Sequence, residues 1–242
     1  MAYQAVFRRY ELKYLLTEQQ KQAVLSAMEP HMALDRYGRT TIRNLYYDTD
    51  NYLLIRRSIE KPVYKEKLRV RCYGPAAPED KVFVELKKKY DGVVYKRRIS
   101  LPQQEAMAWL SRSRDTGQRS QISAEVDYFL DHYGTLKPRV FLSYEREAYY
   151  ARDGSDFRVT FDDTVLCRQE DLSLSSEAWG TPLLPDGMVL MELKCAGGIP
   201  MWMTRVLSSE EIRKTSFSKY GTAYKNMIFP QLQKSEVISN DR

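Results

Sequence analysis

Tyr64-Lys65-Glu66-Lys67-Leu68-Arg69-Val70-Arg71-Cys72 alternates with a period of two. Lys65, Lys67, Arg69 and Arg71 share one parity, and Tyr64, Leu68, Val70 and Cys72 share the other, with Glu66 as the one charge on the apolar side. Strand side chains alternate faces, so the stretch predicts a strand over 63–73 with four cations on one face. The following residues repeat the pattern. Over 81–90, Glu85, Lys87 and Lys89 oppose Val82, Val84 and Leu86. The Asp91-Gly92 pair then predicts a tight hairpin into a strand over 93–101, with Lys96 and Arg98 on one parity.

Outward from this hairpin the same division recurs. Strands are expected over 4–16 (Arg9, Glu11 and Lys13 against Tyr10, Leu12 and Tyr14), 39–48, 138–150 (Tyr144 with Arg146), 157–166 (Arg158, Thr160 and Asp162 against Phe157, Val159 and Phe161) and 187–196 (Glu192 and Lys194 against Val189, Met191, Leu193 and Cys195). The tripeptide Glu-Leu-Lys stands in three of these strands, at 11–13, 85–87 and 192–194. Helical spacing marks 17–29 behind the candidate cap Thr17, 103–112 behind Pro102, 121–133, part of 200–214, and a short last helix over 221–229. Loops are expected at 74–80 and 167–186.

An open antiparallel sheet with one wet face gives such alternation strand by strand. Across the whole set, Lys and Arg dominate one face, and clustered cations repel unless an anion joins them. Eight antiparallel strands can close into a barrel holding side chains or one small ligand. The expected fold is therefore α+β: an eight-stranded antiparallel β-barrel with flanking helices, its cationic face lining a water-filled tunnel. One domain is expected over 1–233, with a flexible polar tail over 234–242. Glu11, Glu85 and Glu192 then have two readings, as salt-bridge partners that lower the repulsion or as oxygen ligands of a divalent cation bridging phosphates.

Composition narrows the classes. In 242 residues, 43% are hydrophobic and 29% charged, with a formal net charge of +6, which suits a polyanionic partner. Cys72, Cys167 and Cys195 are widely spaced with no CxxC, so neither a disulfide framework nor a zinc site is indicated, and a cytoplasmic setting is expected. No run approaches the roughly 18 apolar residues of a membrane-spanning helix. Direct membrane insertion is therefore not expected, and any membrane association would come through a separate partner. Most strand tyrosines take the apolar parity, Tyr144 excepted, which argues against nucleic acid as the ligand.

The ordered set Arg9-Tyr-Glu-Leu-Lys-Tyr14, Asn44-Leu-Tyr-Tyr-Asp-Thr49, Lys67-Leu-Arg-Val-Arg71, Val84-Glu-Leu-Lys87, Tyr95-Lys-Arg-Arg98, Ser143-Tyr-Glu-Arg146, Met191-Glu-Leu-Lys194 and Ser216-Phe-Ser-Lys-Tyr220 resembles the triphosphate tunnel metalloenzymes (the CYTH superfamily), and within them the VTC-type polyphosphate polymerase domain. The resemblance implies phosphate contacts at Lys13, Arg69, Arg71, Lys87, Lys96, Arg146 and Lys219, with Tyr144 and Ser218 as auxiliary donors. Arg98, Lys65, Lys67 and Lys194 are second-rank contacts. It implies Mn²⁺ or Mg²⁺ on Glu192, with Glu85 and Glu11 behind it, and ATP and inorganic polyphosphate as partners. Hydrolytic and cyclase members typically begin Glu-x-Glu-x-Lys, whereas Arg9 stands at the first of those positions. The implied activity is transfer of the γ-phosphate of ATP to a growing polyphosphate chain. The alternatives are hydrolysis of tripolyphosphate or nucleoside triphosphates, and a noncatalytic polyphosphate-binding module.

Overall fold

The computed structural model of the chain describes residues 6–7, 10–91 and 93–240, with side chains described between 10 and 234. Its strands are β1 (Val6–Phe7), β2 (Tyr10–Thr17), β3 (Met32–Leu34), β4 (Thr40–Asp48), β5 (Tyr64–Tyr73), β6 (Lys81–Tyr90), β7 (Val93–Pro102), β8 (Lys137–Ala151), β9 (Arg158–Arg168), β10 (Thr181–Pro182), β11 (Met188–Cys195) and β12 (Lys214–Thr215). All join one antiparallel sheet whose main path runs β1-β7-β6-β5-β4-β8-β9-β11-β2-β12, with β10 beside β9 and β3 beside β8. The long strands coincide with the stretches of alternating parity. The expected hairpin is present, with Tyr90 opposite Val93. Arg9 and Gly92 lie outside the described residues.

Two expectations need correction. The sheet has twelve strands rather than eight, and it is not a closed barrel. Closure would need β7 to pair with β2, but each strand's outer edge has a different partner. Val94 and Tyr95 of β7 pair with β1, and Lys13 and Tyr14 of β2 pair with β12. Short strands thus satisfy the edge N–H and C=O groups that a closed barrel would have joined. The sheet still curls strongly. Phe7 and Tyr10 belong to strands at opposite ends of the path, and three residues span at most about 11 Å. The Lys87 ammonium of β6 also meets the Glu11 carboxylate of β2 at 3.2 Å, an approach of side chains across the concave side.

Helices cover the convex face. On one flank, α3 (Gln103–Leu110) and α4 (Gln121–Tyr133) bring Trp109, Leu110, Val126 and Phe129 onto Leu68, Val84 and Leu86. On the other, α1 (Glu18–Met28) and α5 (Met201–Ser209) bring Val24, Met28 and Met203 onto Tyr14, Phe161 and Leu193. Thr17 caps α1 through a reciprocal capping box with Gln20. A helix the alternation did not mark, α2 (Leu53–Ile59), starts where Asp48 accepts the backbone N–H groups of Leu54 and Ile55 at 2.9 and 3.0 Å. At seven residues it is too short to show a period. The chain ends in α6 (Lys219–Ala223), a π-helical turn (Tyr224–Ile228) and α7 (Phe229–Asn240), so helix extends through most of the stretch expected as a tail.

The third apolar cluster lies on the concave side, the face expected to be mainly cationic. Tyr46, Val140, Leu142, Val165 and Leu190 meet Tyr52 and Ile55 beside α2, and Tyr220, Tyr224 and Ile228 of the C-terminal helices. One end of the interior is therefore packed with side chains. The charged zone is confined to the rest.

Candidate functional site: a cationic chamber

Register stacks the concave side chains of β5, β6 and β7 in ranks: Arg69 opposite Glu85 opposite Arg98, then Lys67 opposite Lys87 opposite Lys96, then Lys65 opposite Lys89. The first rank gathers its cations on one carboxylate. Glu85, 1% exposed, accepts from Arg69 Nε at 2.8 Å and Arg98 Nε at 2.7 Å, and pairs with Lys96 Nζ at 2.7 Å. Burial alone would raise its carboxyl. Arg69, Arg71, Lys96 and Arg98 outweigh burial and hold it well below the usual range.

The second rank is not neutralised. Lys67 Nζ has Ser218 Oγ at 3.4 Å and no carboxylate partner among the described residues. Burial pushes its ammonium down to about 8, with Lys13, Lys87 and Lys65 adding to the push and Tyr46 opposing it. Like charges directly opposite one another are destabilising, and an anion among them removes the cost. Lys65 is lowered in the same way, by burial and then by Lys89, Lys61 and Lys87.

On the facing wall, Asp162 is fully buried and holds Arg146 through two bonds, Nε at 2.5 Å and Nη2 at 2.6 Å, and Lys219 Nζ at 2.5 Å. Beside it Glu192 has Lys13 Nζ at 3.3 Å, Lys194 Nζ at 3.4 Å and Arg146 Nη2 at 3.9 Å. Burial works against its charge, and Lys194, Lys13, Lys219 and Arg146 keep it ionised well below the usual range. Lys13 also donates to the Phe217 carbonyl at 2.7 Å.

A layer of neutral groups orients the cations. Arg71 donates from Nε to Asn44 Oδ1 and from Nη2 to the Tyr144 hydroxyl, each at 2.9 Å, and Arg69 Nη1 donates to the Tyr46 hydroxyl at 2.9 Å. Burial would raise the Tyr144 phenol, but Arg71, Arg146 and Lys219 bring it to about 8. The Ser218 hydroxyl accepts the Gly221 N–H at 3.2 Å and so caps α6 while facing Lys67. Tyr220 donates to Asp48 Oδ2 at 2.9 Å, which fixes the turn that carries Lys219.

Every site residue named from the sequence therefore lines this chamber, from its two walls or from α6: Lys13, Lys65, Lys67, Arg69, Arg71, Lys87, Lys96, Arg98, Tyr144, Arg146, Lys194, Ser218 and Lys219, with Glu11, Glu85 and Glu192. The reading omitted Asp162, Thr160, Asn44 and Tyr46. Asp162 and Thr160 were legible on the charged parity of their strand. The roles of Asn44 and Tyr46 follow only from which arginines β5 places beside them. His31, stacked on Trp202, and His132, packed against Tyr133, lie away from the chamber.

The carboxylates differ in their fit to a divalent cation. Glu85 is enclosed by three cations and does not suit one. At Glu192 the cation contacts are longer, and its cross-strand neighbour Thr160 has a buried hydroxyl with no hydrogen-bond partner among the described residues. One carboxylate and one oxygen donor beside a phosphate site match the way Mg²⁺ is held, through few protein ligands plus water and phosphate oxygens. Among the described residues no group of three or more His, Cys, Asp or Glu could hold a metal by itself.

The chamber is thus the concave wall of a curled antiparallel sheet, on which Lys and Arg outnumber carboxylates. The VTC domain model matches residues 8–228, and the chain belongs to that family. Vacuolar transporter chaperone complex subunit 4 of Trypanosoma brucei brucei is 24% identical over 89% of this chain and 34% of its own length, and that of Trypanosoma cruzi is 23% identical over 89% and 33%. The chain thus spans about a third of the length of these relatives. Among solved structures, a Bacillus halodurans protein named as a candidate adenylate cyclase superposes with a TM-score of 0.54 at 15% identity, covering 89% of this chain and 96% of the other. A candidate adenylyl cyclase from Hippeastrum, described with a dominant triphosphatase activity, gives 0.50 at 17% identity, covering 89% and 94%. These likenesses bear on the fold. No helix among the described residues is long and apolar enough to cross a membrane.

Proposed function

We propose that the domain is a polyphosphate polymerase that transfers the γ-phosphate of ATP to the end of an inorganic polyphosphate chain. The observation that carries the reading is the rank Lys67, Lys87 and Lys96 facing Lys13. It is a set of converging ammonium groups that includes one half-buried lysine lacking any carboxylate counter-ion among the described residues. The triphosphate would lie along this rank between the Glu85 cluster and Glu192. Arg69 and Arg71 are already oriented by Tyr46 and Asn44, so little reorganisation accompanies charge development.

In the transfer step a terminal phosphate oxygen of the acceptor chain attacks the γ-phosphorus. A new P–O bond forms, the bond from the γ-phosphorus to the β–γ bridging oxygen breaks, and ADP leaves with that electron pair. The attacking oxygen is already anionic, so no side-chain base is required. Phosphoryl transfer depends mainly on positioning and charge stabilisation. Arg146 and Lys219, held by Asp162, would stabilise the equatorial oxygens. Glu192 and Thr160 would hold the divalent cation, Mn²⁺ or Mg²⁺, which when bound neutralises charge between adjacent phosphates.

The test is incubation of the purified protein with γ-labelled ATP and Mn²⁺, followed by sizing of the product. Labelled chains of increasing length, lost in Lys67→Met and Glu192→Ala, support the reading. Orthophosphate alone makes the protein a hydrolase. Binding of tripolyphosphate without turnover makes it a binding module.

A further inference from the structure

Besides Tyr46 and Tyr144, whose hydroxyls are taken by Arg69 and Arg71, two further strand aromatics lie on the charged parity. Tyr73, the last residue of β5, and Phe83 of β6 share the concave parity with Arg71 and Glu85, and Phe83 is the direct cross-strand neighbour of Arg71. Their rings meet edge to face at 5.8 Å between centroids. The Arg98 guanidinium covers one side of Phe83 at 4.3 Å and reaches toward the Tyr73 hydroxyl at 3.5 Å. Tyr73 remains 49% exposed. A partly open aromatic and guanidinium surface, with the Tyr73 ring exposed, thus lies at the mouth of the chamber, opposite in direction to the end filled by α2 and α6.

We propose that Tyr73, Phe83 and Arg98 form the nucleobase subsite for the phosphate donor, so that ATP enters with its base at this mouth and its triphosphate inward. The inference rests on the phosphate-chamber reading and adds to it the orientation of the donor. From Phe83 to Lys87 is four residues along one strand, about 13 Å. That length accommodates a ribose and the first phosphates between a base at Phe83 and terminal phosphates at Lys67 and Lys87. Stacking on Tyr73 and on the outer face of Arg98 uses π-faces that every base presents, so the surface would bind purine triphosphates with little hydrogen-bonded selection. Cross-strand packing alone would account for the Tyr73–Phe83 contact. It would not account for an exposed tyrosine turned toward the cationic side, beside a guanidinium already paired with Glu85.

The test compares two probes by calorimetry without turnover: the nonhydrolysable analogue of ATP with a β–γ imido bridge, and inorganic tripolyphosphate, which has no base. The variants are Tyr73→Ala and Phe83→Leu, the second keeping an apolar side chain in case truncation disturbs the strand end. Each variant is expected to lose about tenfold in affinity for the analogue and less than twofold for tripolyphosphate. Equal losses for both probes, or no loss for either, overturn the subsite. Failure of the parent protein to bind tripolyphosphate at all overturns the phosphate chamber itself, and the subsite falls with it.

Discussion

At the scale of single residues, Lys67 shows how a ligand site is bought with stability. Its folded pKa of about 8 lies below the roughly 10.4 of an unfolded lysine. Between those values the unfolded chain binds more protons, so stability rises with pH there, and below pH 8 the full cost of the buried ammonium is present. Lys67→Met should therefore stabilise the ligand-free protein by up to about 3 kcal/mol at pH 7, or about 6–12 °C in Tm. In calorimetric scans the advantage over the parent should shrink above pH 8 and vanish near pH 10. The same substitution should abolish most tripolyphosphate affinity, and the parent's affinity should itself fall as pH rises through 8. Glu85 is the opposite case. Glu85→Gln leaves Arg69, Lys96 and Arg98 without their shared anion, a break that costs about 3–5 kcal/mol when a buried pair loses one partner. Denaturant titration should show that loss, and added tripolyphosphate should recover part of it by supplying negative charge.

At the scale of elements, the short C-terminal helix α6 decides where Lys219 and Ser218 stand. Tyr220 packs against Tyr46 at 4.8 Å and donates to Asp48, and Asp48 also accepts the first N–H groups of α2. One carboxylate therefore couples the start of α2 to the start of α6. Tyr220→Phe should cost about 1.5–3 kcal/mol, the range for a hydrogen bond to a charged group. It should also weaken tripolyphosphate binding, although phenylalanine keeps the ring that lies 6.0 Å from the Lys67 ammonium and removes only the hydroxyl that bonds Asp48. A double-mutant cycle with Asp48→Asn should show a coupling of at least about 0.5 kcal/mol, as expected for residues in direct contact. The stretch 167–186, expected as a loop, is likewise organised by one side chain. Arg168 donates to the carbonyls of Asp171, Glu177 and Trp179 while lying against the Phe141 ring at 3.6 Å. The strands were legible because a period of two survives over ten residues. α2 and α6 were not fully legible, because helices of seven and five residues owe their positions to Asp48 and Tyr220, which are 172 positions apart in the chain.

At the scale of the whole molecule, an open curled sheet with a cationic interior should tighten around a polyanion. The two ends approach through Lys87 and Glu11, a partly exposed pair with little intrinsic strength. A ligand bridging Lys87, Lys67 and Lys13 would tie those ends together. At a hundred times its dissociation constant, tripolyphosphate should raise stability by about 2.7 kcal/mol, or about 5–11 °C in Tm for a domain of this length. Added salt should reduce the shift through weaker binding. Calorimetry with and without ligand checks the first expectation, and repetition at several ionic strengths checks the second.

The amino-acid sequence by itself determined the long strands, the hairpin at Asp91, the capped helix α1 and the face on which every phosphate-binding candidate borne by a strand falls, because these are properties of neighbouring residues and their alternation. Only the tertiary structure decided that the sheet stays open, since that depends on which distant short strands take the edges of β7 and β2. It also decided that one end of the concave side is apolar, and that Glu85 and Glu192 have different surroundings: three close cations about one, looser contacts and a Thr160 hydroxyl with no partner among the described residues about the other. Identical Glu-Leu-Lys triplets acquire different chemistry because a carboxylate's role is set by the groups that other strands bring to it.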